Sequence, residues 1–127
     1  LHSGEDREDQ RLNPYQMIRV TVLKEKDKTK AIRCSGHAGF DSYGKDIVCS
    51  SVSILVINTL HSIEVLTDDS MQTSTKEEDG IINADFPKGL SHDAEVLISA
   101  MVLGLQQIQD TYGKRYLEFQ IQEVTQC

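Results

Sequence analysis

The chain lacks any Cys-x-x-Cys pair and any close pair of histidines, and it holds an odd number of cysteines, 3 in 127 residues. The first two absences exclude the usual zinc frameworks, and the odd count without secretory features argues against a disulfide scaffold. Excess positive charge is missing too. The formal net charge is −7, which disfavours direct nucleic-acid binding, since that rests on Lys and Arg neutralising phosphates, and favours a cationic protein or peptide partner. No apolar run of membrane-spanning length is read in the sequence, and no charged-then-apolar signal segment opens it. The expectation is a soluble, cytoplasmic protein without membrane association.

What is present suits one globular domain: 39% of residues are hydrophobic and 26% charged, enough to bury a single core without staples. Residues 1–16 are polar and aperiodic, with Arg7 and Arg11 set against Glu5, Asp6, Glu8 and Asp9. They read as a tag remnant or disordered leader, leaving 17–127 as the domain. From Met17 the pattern alternates, with Ile18, Val20 and Val22 on one face and Arg19 and Thr21 on the other. Lys24 to Lys30 then form a charged turn before a second strand over Ala31 to Gly36.

Asp46 is expected to cap a helix with apolar residues at Val48, Val52, Leu55, Val56, Leu60 and Ile63, which places Cys49 at its N3 position. Apolar residues off that stripe, among them Ile54, Ile57 and Val65, suggest burial on more than one side, either under the chain's own sheet and second helix or against another subunit in a homodimer. Ser70 to Thr75 and Ile81 to Phe86 flank the turn chemistry of Glu77-Glu-Asp-Gly80. Ser91 then caps a second helix with a stripe of Ala94, Leu97, Ile98, Met101, Leu105, Ile108 and Tyr112, closed by Gly113. Leu117, Phe119 and Ile121 alternate as a last strand. The order ββαββαβ gives an α+β fold, a mostly antiparallel sheet with two helices on one face.

Chemistry concentrates between His37 and Cys49. A glycine-punctuated loop supplies a movable imidazole, and a thiol near a helix start is drawn toward its thiolate by unpaired N–H groups and the helix dipole. A free thiol titrates at about 8.5 and such surroundings lower it to roughly 3.5–7.5. Cys49 is therefore the candidate nucleophile and His37 the candidate acid-base group, against the plainer readings of a packed small hydrophobe and an exposed loop histidine. Gly36 and Gly39 let the loop bend toward Cys49. Asp46 has a sufficient role as cap and a second possible one in orienting His37. Ser53, one turn past Cys49, can bond to substrate or hold the loop, and backbone N–H groups around Cys49 are the expected oxyanion donors. Phe40 and Tyr43, between Gly39 and Gly44, are candidates for lining a substrate groove. Cys34, His61 and His92 read as structural, and neither Cys34 nor Cys127 looks placed to resolve an oxidised Cys49.

The segments Ser35-Gly-His-Ala-Gly39 and Gly44-Lys-Asp-Ile-Val-Cys-Ser-Ser-Val-Ser53, with the long second helix and terminal strand, resemble the ribosomal-processing cysteine protease family, Prp. The similarity runs from Met17 to about Gln122. It implies a bacterial, homodimeric endopeptidase that removes the N-terminal extension of a large-subunit ribosomal protein, cutting after an aromatic-rich sequence, with a cysteine and a histidine that map onto Cys49 and His37. No cofactor is called for. The alternatives from other classes are a non-catalytic peptide- or ribosome-binding module and a thiol redox sensor.

Overall fold

A computed structural model of the chain describes residues 17–36, 43–76 and 80–124, with 43–46 described by backbone alone. Strands β1 (Ile18–Glu25) and β2 (Lys28–Ser35) are followed by helix α1 (Tyr43–Leu66), strands β3 (Gln72–Lys76) and β4 (Ile81–Asp85), helix α2 (His92–Tyr112) and strand β5 (Leu117–Glu123). The order is ββαββαβ. The sheet runs β3-β4-β2-β1-β5, antiparallel throughout except where β5 lies parallel to β1. This is the α+β fold expected from the alternation and helix periodicities.

One face of the sheet carries the core. Ile18, Val20, Val22, Ile32, Cys34, Ala84 and Leu117 join Val48, Val52, Val56, Leu60 and Ile63 of α1 and Ala94, Ile98, Met101 and Leu105 of α2 in a single buried cluster. Valine and isoleucine are so frequent in α1 that its intrinsic helix propensity is modest. Burial of the Val48-to-Ile63 stripe supplies what propensity does not, at roughly 1.5–3 kcal/mol per buried side chain.

The second helix is set by polar ties at its start. Ser91 Oγ accepts the Ala94 N–H at 3.3 Å and donates to Asp69 Oδ2 at 2.8 Å. Glu95, one turn along, accepts from both the N–H and the hydroxyl of buried Thr29 at 2.9 and 2.7 Å, which binds α2 to the start of β2. Gly113 closes the helix as expected, with φ at 99° and its N–H donating to Gln109 O at 2.8 Å.

Four sequence expectations are corrected. The charged turn is two residues, not Lys24 to Lys30: Lys26 and Asp27 both take positive φ, 52° and 70°, the geometry of a tight I′ hairpin, so the flanking charges belong to strands. The third strand starts at Gln72 rather than Ser70 and is exposed along its length, because an edge strand is bounded by pairing with β4 and not by a hydrophobic pattern.

The first helix begins at Tyr43, so Asp46 lies inside it and cannot be its N-cap, and Cys49 falls in the second turn rather than at N3. A capping residue marks where a helix can start, and tertiary context decides where it does. Finally, Ile47–Leu66 is a 20-residue stretch long and apolar enough to cross a membrane by length and composition, contrary to the absence read from the sequence. Glu64 and the scattered Ser, Thr and Asn residues mask the run to the eye, while Val48, Val52, Val56, Leu60 and Ile63 are core in this fold.

Two glycines fasten the β3–β4 hairpin to the end of β2. Gly36 has φ 144°, and a methyl there would lie 2.7 Å from Ile18 Cα. Gly80 has φ 64°, and a methyl on it would overlap the Gly36 carbonyl. Gly80→Ala is expected to cost more than the roughly 1–3 kcal/mol of backbone strain alone. Gly89→Ala is the control, since Gly89 also has positive φ, 74°, but nothing lies within 4 Å of its added methyl. Urea denaturation of both variants checks the contact: equal losses would mean that the Gly36–Gly80 approach contributes nothing.

Candidate active site

A cavity of about 240 Å³ opens where the N-terminal part of α1 passes over the ends of β1, β2 and β4. Its apolar wall is formed by Ile18, Val52, Ile57, Ile81 and Ile82, and its polar atoms come from Cys34, Cys49, Ser53 and Thr75, with Gly36 and Gly80 at the glycine contact. Helical spacing explains three of these positions. Val52 and Ser53 lie three and four residues after Cys49, so each neighbours it on the surface of α1. Strand register explains two more: Cys34 pairs across from Ile82 on β4 and from Val20 on β1, and points inward with Ile32.

The cavity therefore gathers Cys49, Ser53 and Gly36 from the residues singled out in the sequence. Gly36 is the last described residue before His37, so the chain leaves the cavity wall directly into the histidine. His37, Gly39 and Phe40 lie outside the described residues. Tyr43, Gly44 and Asp46 are in the first turn of α1, and their side chains also lie outside the description. His61 and His92 are exposed, beside Glu64 and Asp93 respectively, and neither lines the cavity.

The later start of α1 changes the electrostatic argument for Cys49. A helix leaves its first four N–H groups without partners, and from Tyr43 these end before Cys49. The Cys49 amide sits within the helical ladder, and dipole effects fall off within the first turn. Cys49 thus loses most of the helix-start assistance expected for it, and its own N–H is not a free oxyanion donor. What remains to favour a thiolate is a charged partner.

Cys34 is the residue the sequence reading misplaced. Alternation with Arg33 marks it as inward-facing, and it is buried, but it also shares the cavity with Cys49. Nothing in the linear pattern signals this, because the meeting depends on how α1 crosses β2. Burial pushes the Cys34 thiol up to about 11, and negative charge on Cys49 acts in the same direction. Ile57, Thr75, Ile81 and Ile82 were likewise read only as helix or strand positions. The register of the β3–β4 hairpin brings the last three to the site.

Cys34 is expected to resist iodoacetamide at neutral pH and to label rapidly only as the pH approaches 11, because the protonated thiol is a poor nucleophile. Peptide mapping across a pH series checks this. Labelling of Cys34 with the profile of an exposed thiol, near pH 8.5, would contradict the burial argument.

A family model described as cysteine protease Prp matches residues 17–117. The Bacillus subtilis protein named ribosomal processing cysteine protease Prp is 29% identical over 101 residues, covering 76% of this chain and 90% of the relative. A Staphylococcus aureus protein of the same name is 24% identical over 99 residues, covering 77% of this chain and 93% of its own. Among solved structures, SMU.848 from Streptococcus mutans superposes with a TM-score of 0.77 at 26% identity, covering 86% of this chain and 97% of that one. The S. aureus ribosomal processing protease Prp solved with a substrate peptide has the same fold, with a TM-score of 0.76 at 21% identity over 84% of this chain and all of that one. A match across residues 17–117, with Gly36, Cys49 and Ser53 of the two sequence motifs gathered at one cavity, places this chain in the cysteine protease Prp family, and it is a hydrolase.

Proposed function

We propose that the protein is an endopeptidase that removes the N-terminal extension of a large-subunit ribosomal protein, in the cytoplasm of a bacterium, with Cys49 as nucleophile and His37 as its acid-base partner. One observation carries the site assignment: the Cys49 side chain lines the same apolar cavity as Gly36, the residue that precedes His37. The relatives' names supply the substrate class. An acidic chain, −7 overall, attracts the cationic segments expected of a ribosomal protein.

In this reading the Cys49 thiolate attacks the scissile carbonyl, and the C–N bond breaks as the His37 imidazolium gives its proton to the departing amine. The resulting thioester is hydrolysed by water, with His37 now taking the water's proton. The isoleucine-lined cavity accepts an apolar substrate side chain next to the reacting carbon, and Gly39, Phe40, Tyr43 and Gly44 are assigned to binding the peptide beside it. Ser53 is positioned to hydrogen-bond to substrate. Asp46, freed from the capping role, is left with the orienting one. The oxyanion is held by donors other than the Cys49 amide. No cofactor takes part.

The reading also includes a homodimer. Ile54 and Ile57 are 68% and 53% exposed, and Val65 and Leu66 extend the apolar surface along α1. A second copy of the chain is the occupant that the sequence resemblance implies for it.

Incubation with the N-terminal peptide of the ribosomal precursor, followed by mass spectrometry, should give a single cut. Cys49→Ala should abolish it with the fold unchanged, and His37→Ala should slow turnover by about 100-fold or more with a smaller effect on binding. His37→Ala should also move alkylation of Cys49 to higher pH, since the imidazolium is the remaining source of thiolate stabilisation. Near-normal cleavage by Cys49→Ala would remove the mechanism. Sedimentation should show a dimer that Ile54→Glu weakens, and a monomer at every concentration tested would reject that part of the reading.

A further inference from the structure

The proposed reaction leaves one buried nucleophile in the cavity unused. Cys34 is 5% exposed and held in register between Val20 and Ile82. An isolated thiol there would be a small hydrophobe and nothing more. It is not isolated: Cys49 and Cys34 are two sulfur groups on one cavity, neither in a disulfide, and a charge on one is felt at the other.

We infer that Cys34 is the resolving thiol of Cys49, so that a peroxide converts the pair to a Cys34–Cys49 disulfide and reversibly silences the nucleophile. Only the consequence for turnover rests on the protease reading; the thiol chemistry does not. In the first step the Cys49 thiolate attacks the peroxide. An S–O bond forms, the O–O bond breaks, and the departing oxygen takes up a proton and leaves as water when the oxidant is hydrogen peroxide. Cys49 is oxidised by two electrons to a sulfenic acid and the peroxide is reduced. In the second step the Cys34 sulfur attacks the Cys49 sulfur. The S–S bond forms, the S–O bond breaks, and the hydroxyl departs with the Cys34 proton as a second water. An added dithiol reverses the change by thiol–disulfide exchange.

Burial suits Cys34 to this order of events. Kept protonated, it does not meet the oxidant first. Oxidation of Cys49 to a neutral sulfenic acid then removes the negative charge that had helped to keep Cys34 protonated. A disulfide needs Cβ atoms about 3.8 Å apart, so the oxidised form draws α1 and β2 together at the cavity. The benefit is protection, since a sulfenic acid with no thiol at hand advances to sulfinic acid, which ordinary reductants do not restore.

The test treats the full chain, carrying Cys127→Ser, with increasing hydrogen peroxide, blocks remaining thiols with N-ethylmaleimide and maps non-reduced peptides by mass spectrometry. The expected result is a Cys34–Cys49 linked peptide that dithiothreitol abolishes, with loss and recovery of peptide cleavage in parallel. In Cys34→Ala and Cys34→Val the same peroxide dose should carry Cys49 to sulfinic acid, and dithiothreitol should not restore each variant's own starting activity. If both variants fail to fold, the wild-type Cys34 map decides alone. Cys49 reaching sulfinic acid without the link, or linking instead to a second copy of the chain, overturns the inference. A protein that forms the link but cuts no peptide would instead overturn the proposed function and leave the thiol pair standing.

Discussion

The site depends on one packing interaction, that of the Val48, Val52, Val56, Leu60 and Ile63 stripe of α1 against the inner face of the central strands. A helix rich in β-branched residues does not hold itself together well in water. Burial against Val20, Val22 and Ile32 makes it helical and fixes its rotation in the same step. With Val48 and Val52 turned into the core, Cys49 and Ser53 are turned to the rim, where the sheet ends and the cavity begins. The placement of Cys49 and Ser53 at the cavity is therefore a by-product of core packing.

The opposite wall depends on backbone rather than side chains. At the end of β2 the chain passes so close to β1 and to the β3–β4 hairpin that neither Gly36 nor Gly80 has space for a methyl group. That double constraint ties three strands together one residue before His37. Gly36 is thereby held at the wall of the cavity that Cys49 also lines.

Periodicity made the order of elements legible. Alternation at Ile18, Val20 and Val22, the helical stripe from Ala94 to Leu105, and the Ser91 and Gly113 caps are local signals, and the structure places each where the pattern does. Local signals failed where the deciding contact was distant. Asp46 has the chemistry of a cap, but the helix continues past it to Tyr43. Cys34 has the pattern of a core residue, and only the crossing of α1 over β2 brings it to the cavity of Cys49. Lys24 to Lys30 carry the charge of a loop, while the positive φ of Lys26 and Asp27 closes the hairpin in two residues. The His37 and Cys49 motifs were visible as a pair, and the loss of helix-start assistance at Cys49 was not, because it follows from an earlier helix start, at Tyr43, that no capping rule anticipates.

The central claim is that the Cys49 sulfur, set at the cavity rim by core packing, becomes covalently attached to the substrate. Rapid acid quench of the protein with the ribosomal precursor peptide, followed by intact mass and peptide mapping, tests it most directly. A transient adduct with the mass of the N-terminal cleavage fragment, located on Cys49 and discharged by hydroxylamine as a thioester is, is the predicted result. Cleavage that proceeds with no adduct, or with the adduct on another residue, would contradict the account.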